Sequence, residues 1–142
     1  MRVVFTFFYW MLAKIDPLVR AVWRRYGIGN TVDLVVVGRR TRLERHILVG
    51  LLHAGSGLYI GHPNGDVAWT LNLAAAGEGE VRPHASPPLA FRALLLSPGS
   101  ERERAIRATW HQHPFPGNLV YWIGRGRIRA AGVFFRLEPL GT

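Results

Sequence analysis

From Thr31 onward the chain is a series of short β-rich runs cut apart by turn residues, with no helix of crossover length between the first three. That pattern constrains the fold most, because parallel strands need long connections and closely spaced strands pair antiparallel. Thr31 to Val37 is apolar and β-branched, Gly38 to Arg45 is a polar turn, and His46 to His53 is a second strand. Ala54-Gly55-Ser56-Gly57 then turns the chain into Leu58 to Gly61, completing a meander of three. After the loop His62-Pro63-Asn64-Gly65-Asp66, Asp66 is placed to cap a helix from Val67 to Ala76 that ends at Gly77. Gly79 to Arg82 and Leu89 to Leu96 read as strands, joined through the Pro-rich stretch His84 to Pro88.

Ser97-Pro98-Gly99-Ser100 opens a helix from Glu101 to His111, with its two Glu in the first turn and a packing stripe of Ala105, Ile106, Thr109 and Trp110. His113-Pro114-Phe115-Pro116-Gly117 breaks it, Val120 to Ile123 leads into a basic glycine turn at Gly124-Arg125-Gly126-Arg127, and Val133 to Glu138 is the closing strand. About six mostly antiparallel strands with short connecting helices define an α+β, barrel-like single domain spanning residues 1–142, with its core at 30–139.

Residues 1–27 are of a different kind. Val3 to Ala13 is apolar except for Thr6, but eleven helical residues reach only about 16 Å, half of a hydrocarbon core of about 30 Å. No small-residue cleavage site follows, so the expectation is a cytoplasmic protein, attached peripherally at most to the inner face of the membrane through residues 3–26. Asp16-Pro17 signals a helix start, and Leu18, Val19, Val22, Trp23 and Tyr26 form an apolar stripe opposite Arg20, Arg24 and Arg25, closed by Gly27. This apolar excess also predicts a homodimer.

Absences narrow the chemistry. There is no cysteine, hence no disulfide or thiolate chemistry, no Walker loop, no nucleophile elbow and no dinucleotide fingerprint. The His residues show no convincing ligand spacing, and no metal is expected. The formal charge is +9, and Lys14 is the one lysine among 18 basic residues, so planar forked contacts to phosphate or carboxylate are favoured. Two places can use them. Gly38-Arg39-Arg40-Thr41-Arg42-Leu43-Glu44-Arg45 fixes four guanidiniums at one end of a sheet, a site for a polyanionic tail or a solvated charged hairpin. Trp122-Ile123-Gly124-Arg125-Gly126-Arg127 mixes aromatic and basic residues as nucleic-acid binders do, but no recognised nucleic-acid motif accompanies it, and that reading ranks last. Trp69 and Asn72, three apart, share a face of the short helix.

Gly38-Arg39-Arg40-Thr41 with Arg45, Tyr59-Ile60-Gly61-His62-Pro63, Ala68-Trp69-Thr70-Leu71-Asn72-Leu73, Ala74-Ala75-Ala76-Gly77 and Phe135-Arg136-Leu137-Glu138-Pro139 together resemble the deazaflavin-dependent nitroreductase family over residues 30–139. The resemblance implies a split β-barrel that binds the 8-hydroxy-5-deazaflavin coenzyme F-420. It also implies hydride transfer from the reduced cofactor to hydrophobic acceptors such as quinones and nitroaromatics. On that basis Arg39, Arg40, Thr41 and Arg45 hold the anionic tail, Leu48, Gly61 and His62 approach the ring, and Trp69 and Asn72 match the signature pair of the following helix. Tyr121 is the one candidate to approach substrate. The chain departs from the family in having Thr41-Arg42 for Ser-Gly, Leu48 for a proline, and Asp66-Val67-Ala68-Trp69-Thr70 for His-Pro-X-Trp-Tyr. The alternative on the same scaffold is a non-catalytic binder of a lipid, flavin mononucleotide or haem.

Overall fold

In the computed structural model the structure describes Leu18, residues 20–25, Gly27 and residues 29–140. The elements are β1 (Thr31–Val37), β2 (Glu44–Gly50), β3 (Leu52–Ala54), β4 (Gly57–His62), α1 (Ala68–Ala76), β5 (Glu78–Arg82), β6 (Leu89–Leu95), α2 (Ser100–Gln112), α3 (Gly117–Ile123), α4 (Arg125–Ala131) and β7 (Val133–Pro139). Every pairing is antiparallel, in the order β2-β1-β5-β6-β7-β4-β3. β2 and β3 are separated by Leu51 alone yet occupy the two ends of this order, so the sheet has to curl until its edges meet. Contacts between β2 and β4 follow from that closure. The architecture is an α+β split barrel.

The seventh strand arises because the expected run His46 to His53 is broken at Leu51. The Leu51 N–H donates to the Asn30 carbonyl at 2.9 Å and the Asn30 amide donates to the Leu51 carbonyl at 3.1 Å. Both main-chain groups of Leu51 are thereby drawn out of the ladder, and the strand bends there. The expected glycine turn at 124–127 is also corrected, since Arg125–Ala131 is helical. Carbonyls at its end, those of Ile128 and Arg129 and that of Gly132 just after it, accept from the Arg102 guanidinium of α2, and the buried Ile128 seats it on α2.

Strand alternation sends side chains to two cores. Val32, Leu34 and Val36 of β1, Ile60 of β4 and Phe135 and Leu137 of β7 fill the barrel, which α1 closes with Trp69 and Leu73. The next residues along, Tyr59 and Phe134, face outward and are covered by Ala105, Ile106 and Ile128 of α2 and α4. The sheet is thus buried on both faces at β4 and β7. At the N-terminal side, Trp23 is buried and its indole N–H donates to the Thr31 carbonyl at 2.8 Å. The expected apolar stripe does not pack as a whole, because Leu18 and Val22 are exposed while Arg20 turns towards Asp33, 3.7 Å away. Asp16-Pro17, Val19, Tyr26 and the run from Val3 to Ala13 lie outside the described residues.

Candidate functional site

The β1–β2 turn is closed by its own backbone. Gly38 N–H donates to the Leu43 carbonyl at 2.8 Å and Arg42 N–H to the Gly38 carbonyl at 2.9 Å. Arg42 has φ 63°, the left-handed conformation that glycine adopts most readily. Thr41 Oγ1 accepts from Leu43 N–H at 3.3 Å and from the Arg45 guanidinium at 3.4 Å. A methyl group on Gly38 would sit 2.8 Å from that hydroxyl, so a larger residue here would have to displace the Thr41 side chain.

α1 anchors the turn from below. Asn72, nine-tenths buried, accepts from Arg39 N–H at 3.1 Å and from the Arg39 guanidinium at 2.8 Å, while the same guanidinium reaches the Ala68 carbonyl at 3.5 Å. Trp69, one turn away on the same face, packs into the barrel with its ring 6.3 Å from that of Phe135. The pair therefore divides its work, Trp69 holding α1 in the core and Asn72 holding Arg39. The helix start differs from expectation: the Thr70 hydroxyl accepts from Val67 N–H at 2.9 Å, and Asp66 binds that hydroxyl at 3.2 Å instead of capping an amide. Gly77 ends the helix in the left-handed conformation as expected.

The other proposed positions fall in separate places. Gly61, one residue before the end of β4, lies opposite Phe134, whose ring would lie 2.3 Å from an added methyl, so its bare backbone serves the packing of β7. His62 Nδ1 lies 3.1 Å from the Gly65 carbonyl and 3.3 Å from Asn64 N–H, and burial holds its pKa below the ordinary imidazole value. Leu48 pairs with Asp33 and shares the outer sheet face with it, away from the barrel core. Tyr121 is buried in α3 with its ring 4.5 Å from that of His113, in the outer core and not at the turn. Thus Arg39, Thr41, Arg45 and Asn72 are brought together, with Arg40 exposed on the same turn, and His62 lies at the loop that feeds α1.

Two features were not anticipated. A depression of about 590 Å³ beside the turn is lined by Gly38, Arg39 and Arg42, and also by Glu44, Glu78 and Glu80. The alternation Glu78-Gly79-Glu80 directly after the helix stop was the available signal. The second is Asp33, nine-tenths buried, with Oδ2 at 2.8 Å from His46 Nδ1 and Oδ1 without a hydrogen bond among the described residues. A single acid inside a β-branched strand was its signal. No cluster of three or more His, Asp or Glu able to hold a metal ion is present among the described residues.

No protein-family model and no curated protein matches the chain. Solved structures do. The F420-H2-dependent reductase FDR-A superposes with a TM-score of 0.59 at 15% identity, covering 77% of this chain and 94% of that one. The haem storage protein HutZ from Vibrio cholerae gives 0.58 at 14% identity, covering 90% and 92%. A chain described as a domain-swapped dimer gives 0.58 at 13%, covering 91% and 97%. At these identities the similarity establishes the split-barrel fold, a scaffold common to a reductase and a haem protein.

Proposed function

We propose that this chain binds coenzyme F-420 through the β1–β2 turn and uses the reduced cofactor to reduce a hydrophobic acceptor such as a quinone or nitroaromatic. The observation that carries the reading is the anchored turn. Asn72 and α1 hold Arg39, while Arg40 and Arg42 face no carboxylate within ion-pair distance among the described residues. Guanidiniums held at a rigid turn without acidic partners suit a phosphate or oligocarboxylate tail. Glu44, Glu78 and Glu80 repel such a tail from the neighbouring depression and direct it across the turn towards Arg40 and Arg45. The cofactor supplies the hydride; the residues of this chain bind it, orient it and exclude water, and none has to be a strong acid or base.

Gly61 and His62 are proposed to border the ring, with His62 neutral at physiological pH because burial depresses its pKa. Leu48 would act through its backbone and Trp69 through the position it gives α1. Tyr121 would reach an acceptor only if α3 moved, and we assign it no catalytic step. We also propose a homodimer, supported by the domain-swapped neighbour, and peripheral membrane contact through residues 3–26. No helix among the described residues is long and apolar enough to cross a membrane.

Titration with F-420, followed by cofactor fluorescence, tests the reading. Micromolar binding is expected, weakened more than about tenfold, or 1.4 kcal/mol, in the Arg40→Ala, Arg45→Ala double variant. Absence of binding by the parent chain removes the enzyme assignment. Flavin mononucleotide or haem copurifying with the protein would replace it with the non-catalytic alternative.

A further inference from the structure

The outer core carries a surface that the proposed cofactor site does not use. Between Glu103 and Glu138 the chain has no acidic residue and contains six Arg: Arg104, Arg107, Arg125, Arg127, Arg129 and Arg136. α3 lies in the middle of this stretch. Leu119 and Trp122, three apart on one side of the helix, are 46% and 48% exposed, and Phe115 just before it is 77% exposed. On the opposite side Tyr121 is buried in the outer core, so the helix is held in place while its apolar side faces out.

The charge around this ridge is one-sided. The Arg125 guanidinium stacks 4.2 Å over the Trp122 ring and donates to the Trp122 carbonyl at 2.7 Å, and Arg127 donates to the Asn64 side chain at 2.9 Å. Both partners are neutral, so neither guanidinium has a carboxylate partner among the described residues. Both acids of α2 are already paired, Glu103 with Arg129 at 2.9 Å and Arg107 at 3.5 Å, and Glu101 with Arg136 at 2.8 Å. Two aromatic rings and a leucine projecting beside the Arg125 and Arg127 guanidiniums match the boundary of an anionic bilayer, where rings enter the headgroup region and guanidiniums meet lipid phosphate.

We infer that the Phe115–Leu119–Trp122 ridge with Arg125 and Arg127 is a docking surface for an anionic lipid bilayer. It belongs to a different segment of the sequence from residues 3–26 and does not depend on F-420 binding.

The chain has no cysteine, so single probes can be placed. Leu119→Cys and, as comparator, Ser56→Cys in the exposed β3–β4 turn are labelled with an environment-sensitive fluorophore. Each is mixed with vesicles of phosphatidylcholine alone or blended with phosphatidylglycerol. The label at position 119 should brighten and shift to the blue with the anionic vesicles only, and the label at position 56 should not change. In the unlabelled chain, Phe115→Ser with Trp122→Ser should lower vesicle partitioning at least about tenfold without altering the thermal melt. Vesicle binding that leaves position 119 unchanged assigns the contact to another segment and overturns the inference. So does an absence of binding. A dimer on gel filtration that the same pair of substitutions dissociates makes the ridge an interface between copies, and salt-sensitive capture of an oligonucleotide that displaces vesicles makes it a nucleic-acid surface; either result overturns it as well.

Discussion

Arg42 shows how one residue can work against its own backbone. Its φ of 63° costs a residue bearing a Cβ roughly 1 kcal/mol relative to glycine, and its side chain makes no ion pair among the described residues. Arg42→Gly should therefore raise the free energy of unfolding by up to about 1 kcal/mol in urea titration, a small effect because glycine also frees the unfolded chain. A loss of stability would mean that the guanidinium does more for the turn than the strain costs. His113 is a second residue with a sign that can be worked out. Burial pushes its pKa down to about 4, Tyr121 packs against the ring, and the Asn30 side chain lies 3.2 Å from Nδ1. Its pKa is lower in the folded state, so the unfolded chain takes up the proton first as pH falls. Stability is then full above about 6.5 and declines towards pH 4, by on the order of 2–3 kcal/mol, with His62 adding to the same trend. Comparing parent and His113→Leu unfolding at pH 7 and pH 4.5 should show the slope reduced in the variant; an unchanged slope would place the titrating group elsewhere.

β4 and β7 are matched as elements through one glycine and one ring. Phe134 occupies the space where a Gly61 methyl would stand, so Gly61→Ala should cost about 1–3 kcal/mol by overpacking. Gly61→Ala combined with Phe134→Leu should cost less than the sum of the separate changes, because the shorter side chain clears the clash; additive costs in a double-mutant cycle would show that the two do not compete for that space. Elements also show what a sequence can disclose. Thr31–Val37 is found where the run of β-branched and apolar residues puts it, and Gly77 ends α1 as its helix stop, because both signals are local. The break at Leu51 was not legible, since it is made by Asn30, 21 residues away. α4 was hidden for a similar reason: two glycines argue for a turn, and only Arg102 and the outer core make the segment helical. At the candidate site the Trp69–Asn72 spacing was visible, whereas the partner of Asn72 was not. The glutamates facing the turn emerge only when β2 and β5 are placed beside it.

At the scale of the whole molecule, ligand choice and stability are one equilibrium. A split barrel that closes by bringing its two edge strands together ties the β1–β2 turn, α1 and the end of β4 into one cooperative unit. A ligand spanning these elements binds only when all are folded, and so draws the equilibrium towards the native state. At a concentration one hundred times its Kd, such a ligand adds about 2.7 kcal/mol. For a chain of this size that corresponds to a rise in Tm of roughly 5–10 °C. F-420 should give this shift in a calorimetric melt, and the Arg40→Ala, Arg45→Ala variant should lose most of it at the same concentration. Asn72→Ala should reduce it too, although Asn72 touches the turn and not the tail, because it frees the Arg39 guanidinium and loosens the main chain. If the shift is instead larger for flavin mononucleotide or haem and indifferent to Arg40 and Arg45, the ligand is held elsewhere on the barrel, and the basic turn is a solvated hairpin.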